Sequence, residues 1–161
     1  MTITFAGHAF ITNAEKVKNE IKEQIRKIVP KSEPLICYLG GYGCFDETSA
    51  HACKELKKEN YKIEMVYVTP YLSIAEQEKI KMMQKQGLCD SSIYPSLENV
   101  PKRFAISKRN EWMMTNADFV IAYVERDFGG AYKSLKVAKR KNKKIINICD
   151  QLTSKENGRE I

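Results

Sequence analysis

The sequence predicts an α/β fold, a Rossmann-like three-layer sandwich whose mostly parallel sheet carries helices on both faces. Three observations point there. Short apolar runs alternate along the chain with charged, amphipathic stretches of helical spacing. Such alternation is the signature of a parallel sheet joined by right-handed helical crossovers. The residues that follow the apolar runs are glycines, small polar residues and aromatics, as at the carboxyl edge of such a sheet, where ligands bind. The 161 residues suffice for one domain with a core of its own, and an apolar fraction of 43% is that of a globular chain.

Each element follows from its residues. Ile3 to Ala6 is a short apolar strand ending in Gly7. Val17, Ile21, Ile25 and Ile28 recur at helical spacing, and Pro30 stops that helix. Leu35 to Leu39 is the second strand, followed by the glycine loop Gly40-Gly41-Tyr42-Gly43. Asp46 is expected to cap the next helix, with Glu47 in its first turn. Ile63 to Val68 is the third strand, closed by Thr69-Pro70. Ser73 to Gln86 reads as a charged helix ending at Gly87. The stretch from Cys89 to Pro101 is irregular, with one short strand over Ser92 to Tyr94. A helix from Phe104 to Met114 leads into the most apolar strand, Asp118 to Val124. Gly129-Gly130 opens a last helix, and Ile145 to Ile148 is the final strand. The domain is expected over residues 1–149, and residues 150–161 as a polar, frayed tail.

Composition narrows the function classes. The formal charge of +7 favours an anionic partner, a nucleic acid or a phosphorylated small molecule. Much of it lies in KSLKVAKRKNKK, Lys133 to Lys144, which also reads as a solvated helix face with cations near the helix C-terminus. No aromatic residue interleaves with those lysines. Five cysteines without a C-x-x-C pair argue against a disulfide scaffold and a zinc site, so no metal is expected. Cys37 and Cys149 are expected inside apolar strands, and Cys44 alone sits where it could react. The start of the chain lacks a basic leader, and the longest apolar run is too short to span a bilayer. The expectation is a cytoplasmic protein without a membrane partner.

The rim holds no standard phosphate motif. The pattern G-x-x-x-x-G-K-S/T is absent, and a G-x-G-x-x-G reading from Gly41 and Gly43 fails at Asp46. The third strand has its acidic residue, Glu64, at the wrong end to hold a ribose, so no nicotinamide cofactor is expected. Backbone N–H groups at the starts of the Asp46 and Gly130 helices can still each hold a phosphate. In that setting Asp46 either caps its helix or contacts a sugar hydroxyl.

The segment from Ser107 to Ile148 carries a resemblance. Arg109-Asn110 precede the methionine-bearing helix with Met113 and Met114, Asp118 opens the apolar strand, and Gly129-Gly130 lead into a basic helix. FAGH at Phe5 to His8 and GYGCFDETSAHA at Gly41 to Ala52 agree with the same pattern. Together these resemble the SLOG superfamily, which joins the Lonely Guy phosphoribohydrolases, the Smf/DprA proteins and the YpsA-like group, and in particular its small stand-alone proteins. The resemblance implies a Rossmann-like sheet that binds nucleotides or nucleotide-derived ligands, often as a homodimer or higher homo-oligomer. The ligand-binding residues it implies are Gly7, His8, Gly40, Gly41, Tyr42, Gly43, Phe45, Asp46, Pro70, Arg109, Asn110, Gly129 and Gly130. Arg109 would grip phosphate or carboxylate with its planar fork, or else form a surface ion pair.

The departure from that family bears on chemistry. Lonely Guy enzymes carry P-G-G-x-G-T-x-x-E where this chain reads FGGAYKSLK, Phe128 to Lys136, without the glutamate. Glycosidic cleavage needs a carboxylate beside the anomeric carbon. Asp46, Glu47, Glu125 or Asp127 would have to supply it. Two readings therefore stand. In one, the protein senses or sequesters a nucleotide-derived signal, such as an ADP-ribose derivative or cyclic nucleotide, as in prokaryotic conflict and phage-defence systems. In the other it hydrolyses an N-glycosidic bond, with Arg109 holding phosphate and Glu47 or Glu125 as the catalytic carboxylate. Nucleic-acid binding, by analogy with the DprA relatives, is a third reading.

Overall fold

The computed structural model describes residues 1–158. In chain order the elements are β1 (Thr2–Gly7), α1 (Ala14–Ile28), β2 (Leu35–Leu39), α2 (Cys44–Lys58), β3 (Ile63–Val68), α3 (Ile74–Lys85), β4 (Ser91–Ile93), α4 (Ala105–Asn116), β5 (Phe119–Tyr123), α5 (Gly130–Arg140), β6 (Lys144–Asn147) and α6 (Ile148–Asn157), with a single 3₁₀ turn over Lys102–Phe104. The six strands form one sheet in the order β4-β3-β2-β1-β5-β6. Every pairing among the described residues is parallel.

Alternation along each strand feeds two separate cores, because successive side chains leave opposite faces of the pleat. Ile3, Phe5, Ile121 and Tyr123 pack with α1 and α2 on one face. Ala6, Val120, Ala122 and Val124 pack with Met113 and Met114 of α4 and Leu135 of α5 on the other. The expected α/β sandwich is the observed architecture. In α1 the periodic residues Val17, Ile21 and Ile25 are fully buried, and the chain turns extended at Val29, just before Pro30.

Strand order reverses at β1. From β1 the chain lays down β2, β3 and β4 on one side, then returns to place β5 and β6 on the other. The crevice at the carboxyl end of β1 is thus the topological switch point, the standard ligand position in such sheets.

Three expectations change. Asp46 is not the cap of α2: the cap is Gly43, and Asp46 lies inside the first turn. Gly43, with φ of 98°, lets the helix begin earlier, and the Asp46 carboxylate reaches back to accept the Tyr42 N–H at 2.9 Å. Cys149 stands in the first turn of α6 and not in a strand, because β6 ends at Asn147, whose side chain caps that helix. The polar tail is helical through Asn157. Ile148 of α6 is fully buried, and Cys149 and Leu152 pack part-buried against the core. Ion pairs add to their hold: Lys155 to Glu20 at 2.6 Å and to Glu23 at 2.8 Å, and Lys16 to Glu156. Three apolar positions on a short, otherwise polar helix leave little hydrophobic periodicity to read. Residues 159–161 of the expected tail lie outside the described residues.

Candidate functional site

A cavity of about 260 Å³ opens at the switch point. Its wall from β1 is Gly7, His8 and Ala9; the β2 end gives Gly40, Tyr42 and Asp46. From the other side α4 presents Arg109 and Asn110, and the β5–α5 connection presents Arg126, Gly129 and Gly130. Nine of the ligand-binding residues expected from the sequence therefore line one cavity.

The others stand elsewhere. Phe45 is fully buried and fills the space that a Cβ on Gly7 would enter, 2.2 Å from the ring. Pro70 is buried behind the β3 end and lines none of the cavities described below. Gly41, Gly43 and Glu47 border a neighbouring, more apolar cavity of about 470 Å³, together with Cys44 and Phe10. Glu125 lines a separate groove of about 150 Å³ on the α1–α6 side, where its carboxylate accepts the Tyr123 hydroxyl at 3.1 Å. Asp127 is exposed in the β5–α5 connection and lines neither this groove nor the edge cavity. Of the carboxylates weighed for glycosidic chemistry, Asp46 alone lines the edge cavity.

Arg109 is not a surface ion pair, and part of its guanidinium is taken up by the backbone. It is 1% exposed, and its Nη1 donates to the carbonyls of Gly40 and Val68, each at 2.6 Å. Nε donates to Asn110 Oδ1 at 2.9 Å. The guanidinium thereby ties together the carboxyl ends of β2 and β3. Nη2 has no partner among the described residues, leaving its two N–H donors for the cavity.

His8 is 5% exposed, and its Nε2 accepts the Glu125 N–H at 2.9 Å. Burial, reinforced by the Arg126 guanidinium and opposed by Glu125, lowers its pKa below the ordinary histidine value. The neutral ring then carries its proton on Nδ1. Burial also pushes the Asp46 carboxyl up to about 6, against the Tyr42 N–H and the charges of Arg109 and Lys79.

Sequence reasoning missed a polar cluster under the glycine loop. Glu76, buried on α3, accepts the hydroxyls of Tyr67, of Tyr42 at 3.0 Å and of Thr69 at 3.2 Å. Burial and Glu76 push the Tyr42 hydroxyl up to about 12. Lys79 donates to the Gly41 carbonyl at 2.7 Å and lies 3.8 Å above the Tyr42 ring. One signal was available: Ser73 and Glu76 form the S-x-x-E pattern of a capping box. The Ser73 hydroxyl does accept the Glu76 N–H at 3.3 Å, but the Glu76 side chain turns inward to the tyrosines.

The glycines divide by cause. Gly41 has φ of 75°, and a Cβ there would lie 2.3 Å from the Tyr67 ring; Gly43 would meet the Ala9 backbone at 2.8 Å. Gly130 differs, since it has an ordinary φ and a Cβ would meet nothing within 4 Å. The start of α5 beside it has no side-chain cap and no acidic residue in the first turn. Its N–H groups, unpaired within the helix, border the cavity.

A parallel sheet with its cavity at the β1 switch point makes this a Rossmann-like α/β sandwich, and its fold is similar to that of DprA proteins. The structure of DNA processing protein A from Streptococcus pneumoniae superposes with a TM-score of 0.61 at 14% identity, over 89% of this chain and 48% of that one. DNA processing protein A from Helicobacter pylori, solved in a study of its single-stranded DNA binding mode, superposes with a TM-score of 0.59 at 13% identity, over 97% of this chain and 73% of that one. The chain thus spans about half the length of the pneumococcal protein. No protein-family model and no curated protein sequence match the chain. No helix among the described residues is long and apolar enough to cross a membrane.

Proposed function

We propose that the protein binds a nucleotide-derived small molecule in the carboxyl-edge cavity and holds it intact, as a sensor or a sequestering protein in the cytoplasm. The observation that carries this reading is the start of α5. Its uncapped N–H groups face an open cavity beside Gly130, whose missing side chain serves neither packing nor backbone conformation. A helix N-terminus of that kind attracts phosphate. Arg126 at the cavity wall and the Arg109 Nη2 add positive charge, while His8 stays neutral beside them. The first turn of α5 lacks the glutamate that would attack or protonate a glycosidic bond.

Hydrolysis of an N-glycosidic bond is the second reading, and Asp46 is the observation that favours it. A carboxyl titrating near 6 beside the bound sugar has the character of a general acid. One experiment separates the two. The protein is incubated with AMP, ADP-ribose, cyclic ADP-ribose isomers and cyclic dinucleotides, filtered and denatured, and both fractions are identified by mass spectrometry. Binding predicts intact ligand released only on denaturation, and a melting shift: ligand at 100 times its Kd adds about 2.7 kcal/mol. Free base accumulating in the filtrate would replace binding with hydrolysis. Assembly into a homodimer belongs to the same proposal and is read by light scattering with and without ligand.

A further inference from the structure

A second cavity of about 290 Å³ lies between α4 and α5 and shares Ile106, Asn110, Gly130 and Ser134 with the edge cavity. The two are therefore one trough passing the N-terminus of α5. Arg103 and Lys133 line its outer half, and neither has an ion-pair partner among the described residues. The carboxylate there, Glu111, is already paired with Lys108 at 3.2 Å. Two of its arginines stack on a ring close by in the chain, outside the lining of either cavity. The Arg103 guanidinium lies 4.8 Å above Phe104, and that of Arg126 lies 5.1 Å above Phe128. Phe104 and Phe128 are 47% and 61% exposed. Unpaired cations spaced along a groove that leads away from a phosphate-binding helix start are what a second phosphate of the same ligand would meet.

We propose that the trough takes a ligand of two nucleotide units joined through phosphate. One unit occupies the edge cavity with its phosphate at the start of α5. The second lies between α4 and α5 with its phosphate on Arg103 and Lys133. This rests on the reading of the edge cavity as a nucleotide site and extends it to a ligand class. A free dinucleotide and the end of a single strand present the same chemistry.

The test compares the wild-type chain with the double variant Arg103→Ala/Lys133→Ala, using calorimetry. The probes are AMP, a linear diadenosine dinucleotide with a terminal phosphate, and a deoxyadenosine oligonucleotide. Both replaced side chains are exposed, so the melting temperature stays unchanged and the variant remains folded. The dinucleotide is expected to bind wild type at least about tenfold more tightly than AMP. The double variant is expected to lose that advantage and keep its AMP affinity. Equal wild-type affinities for AMP and dinucleotide, or equal weakening of both in the variant, overturn the two-unit ligand and leave the single-unit site standing. No binding of any probe overturns both readings. An oligonucleotide bound more tightly than the dinucleotide identifies the strand end as the source; one bound no more tightly identifies the free dinucleotide.

Discussion

At the scale of single residues, the two kinds of glycine make opposite predictions. Gly130→Ala leaves the melting temperature unchanged, since a Cβ there meets nothing. It weakens nucleotide binding by about tenfold, roughly 1.4 kcal/mol, by filling the phosphate approach. Gly43→Ala does the reverse: φ of 98° and the Ala9 backbone at 2.8 Å destabilise the fold by about 1–3 kcal/mol, read in thermal melts. Arg109→Lys removes the guanidinium that bonds both strand ends and lowers stability by about 1.5–3 kcal/mol. An unchanged melt would return Arg109 to ligand binding alone. Asp46 gives a pH signature. Its carboxyl is raised from 3.8 to about 6, so the native state holds this proton more tightly than the unfolded chain does. The stability it contributes is present below its unfolded pKa and is lost as pH rises through about 6. A neutral carboxyl also repels phosphate less. Affinity for cyclic AMP, whose charge is constant here, is expected to rise as pH falls from about 8 to about 5, and Asp46→Asn to flatten that profile. A profile identical in the variant would remove Asp46 from the site.

At the scale of elements, α6 shows how charge adds to a small apolar contact. Its hold on α1 passes through Lys155, which satisfies Glu20, a side chain only 3% exposed. Lys155→Ala leaves Glu20 with Gln24 as its remaining partner, at 2.8 Å. Because Lys155 is itself partly exposed, the expected loss is modest, about 1 kcal/mol, and shrinks at high salt. Amide exchange in α6 is expected to quicken in the variant while α2, buried through Phe45, Cys53 and Leu56, keeps its protection. Uniform change across both helices would mean that α6 folds with the core. The loop after β2 follows a different rule. Lys79, Tyr42 and Glu76 fasten it from below, so it is held by the neighbouring helix α3 as well as by its own glycines.

At the scale of the whole molecule, the charge of +7 sets the remaining question, a bound small ligand or a bound strand. Single-stranded nucleic acid loses affinity with a slope of about −0.7 per phosphate contacted in log K against log salt. A ligand of one or two units gives a slope no steeper than about −1.5, and a markedly steeper one would favour a longer strand. The parallel α/β sandwich and most element positions were legible in the sequence, because buried strands and amphipathic helices write their burial as apolar runs and periods. The rim was legible for a related reason: glycines, His8, Arg109 and Asn110 fall directly after strands or on the helix facing them, and the sheet brings them to one edge. Tertiary structure decided the rest. Whether Arg109 faces a ligand or two carbonyls depends on where the β2 and β3 ends meet, and that separation in space has no sequence period. Glu76 and Lys79 lie on a charged helix that looks solvated, and become part of the loop only because α3 packs beneath it. Glu47 and Glu125 looked equivalent to Asp46 along the chain. Glu125 lines a separate groove and Glu47 the apolar cavity, which Asp46 also borders. Asp46 alone of the three reaches the edge cavity, because successive positions of a helix turn and of a strand end point in different directions. Local pattern determines which elements form, since it reports burial; the identity of the groups that share a cavity is fixed by packing between distant segments, since only contact in space can place them.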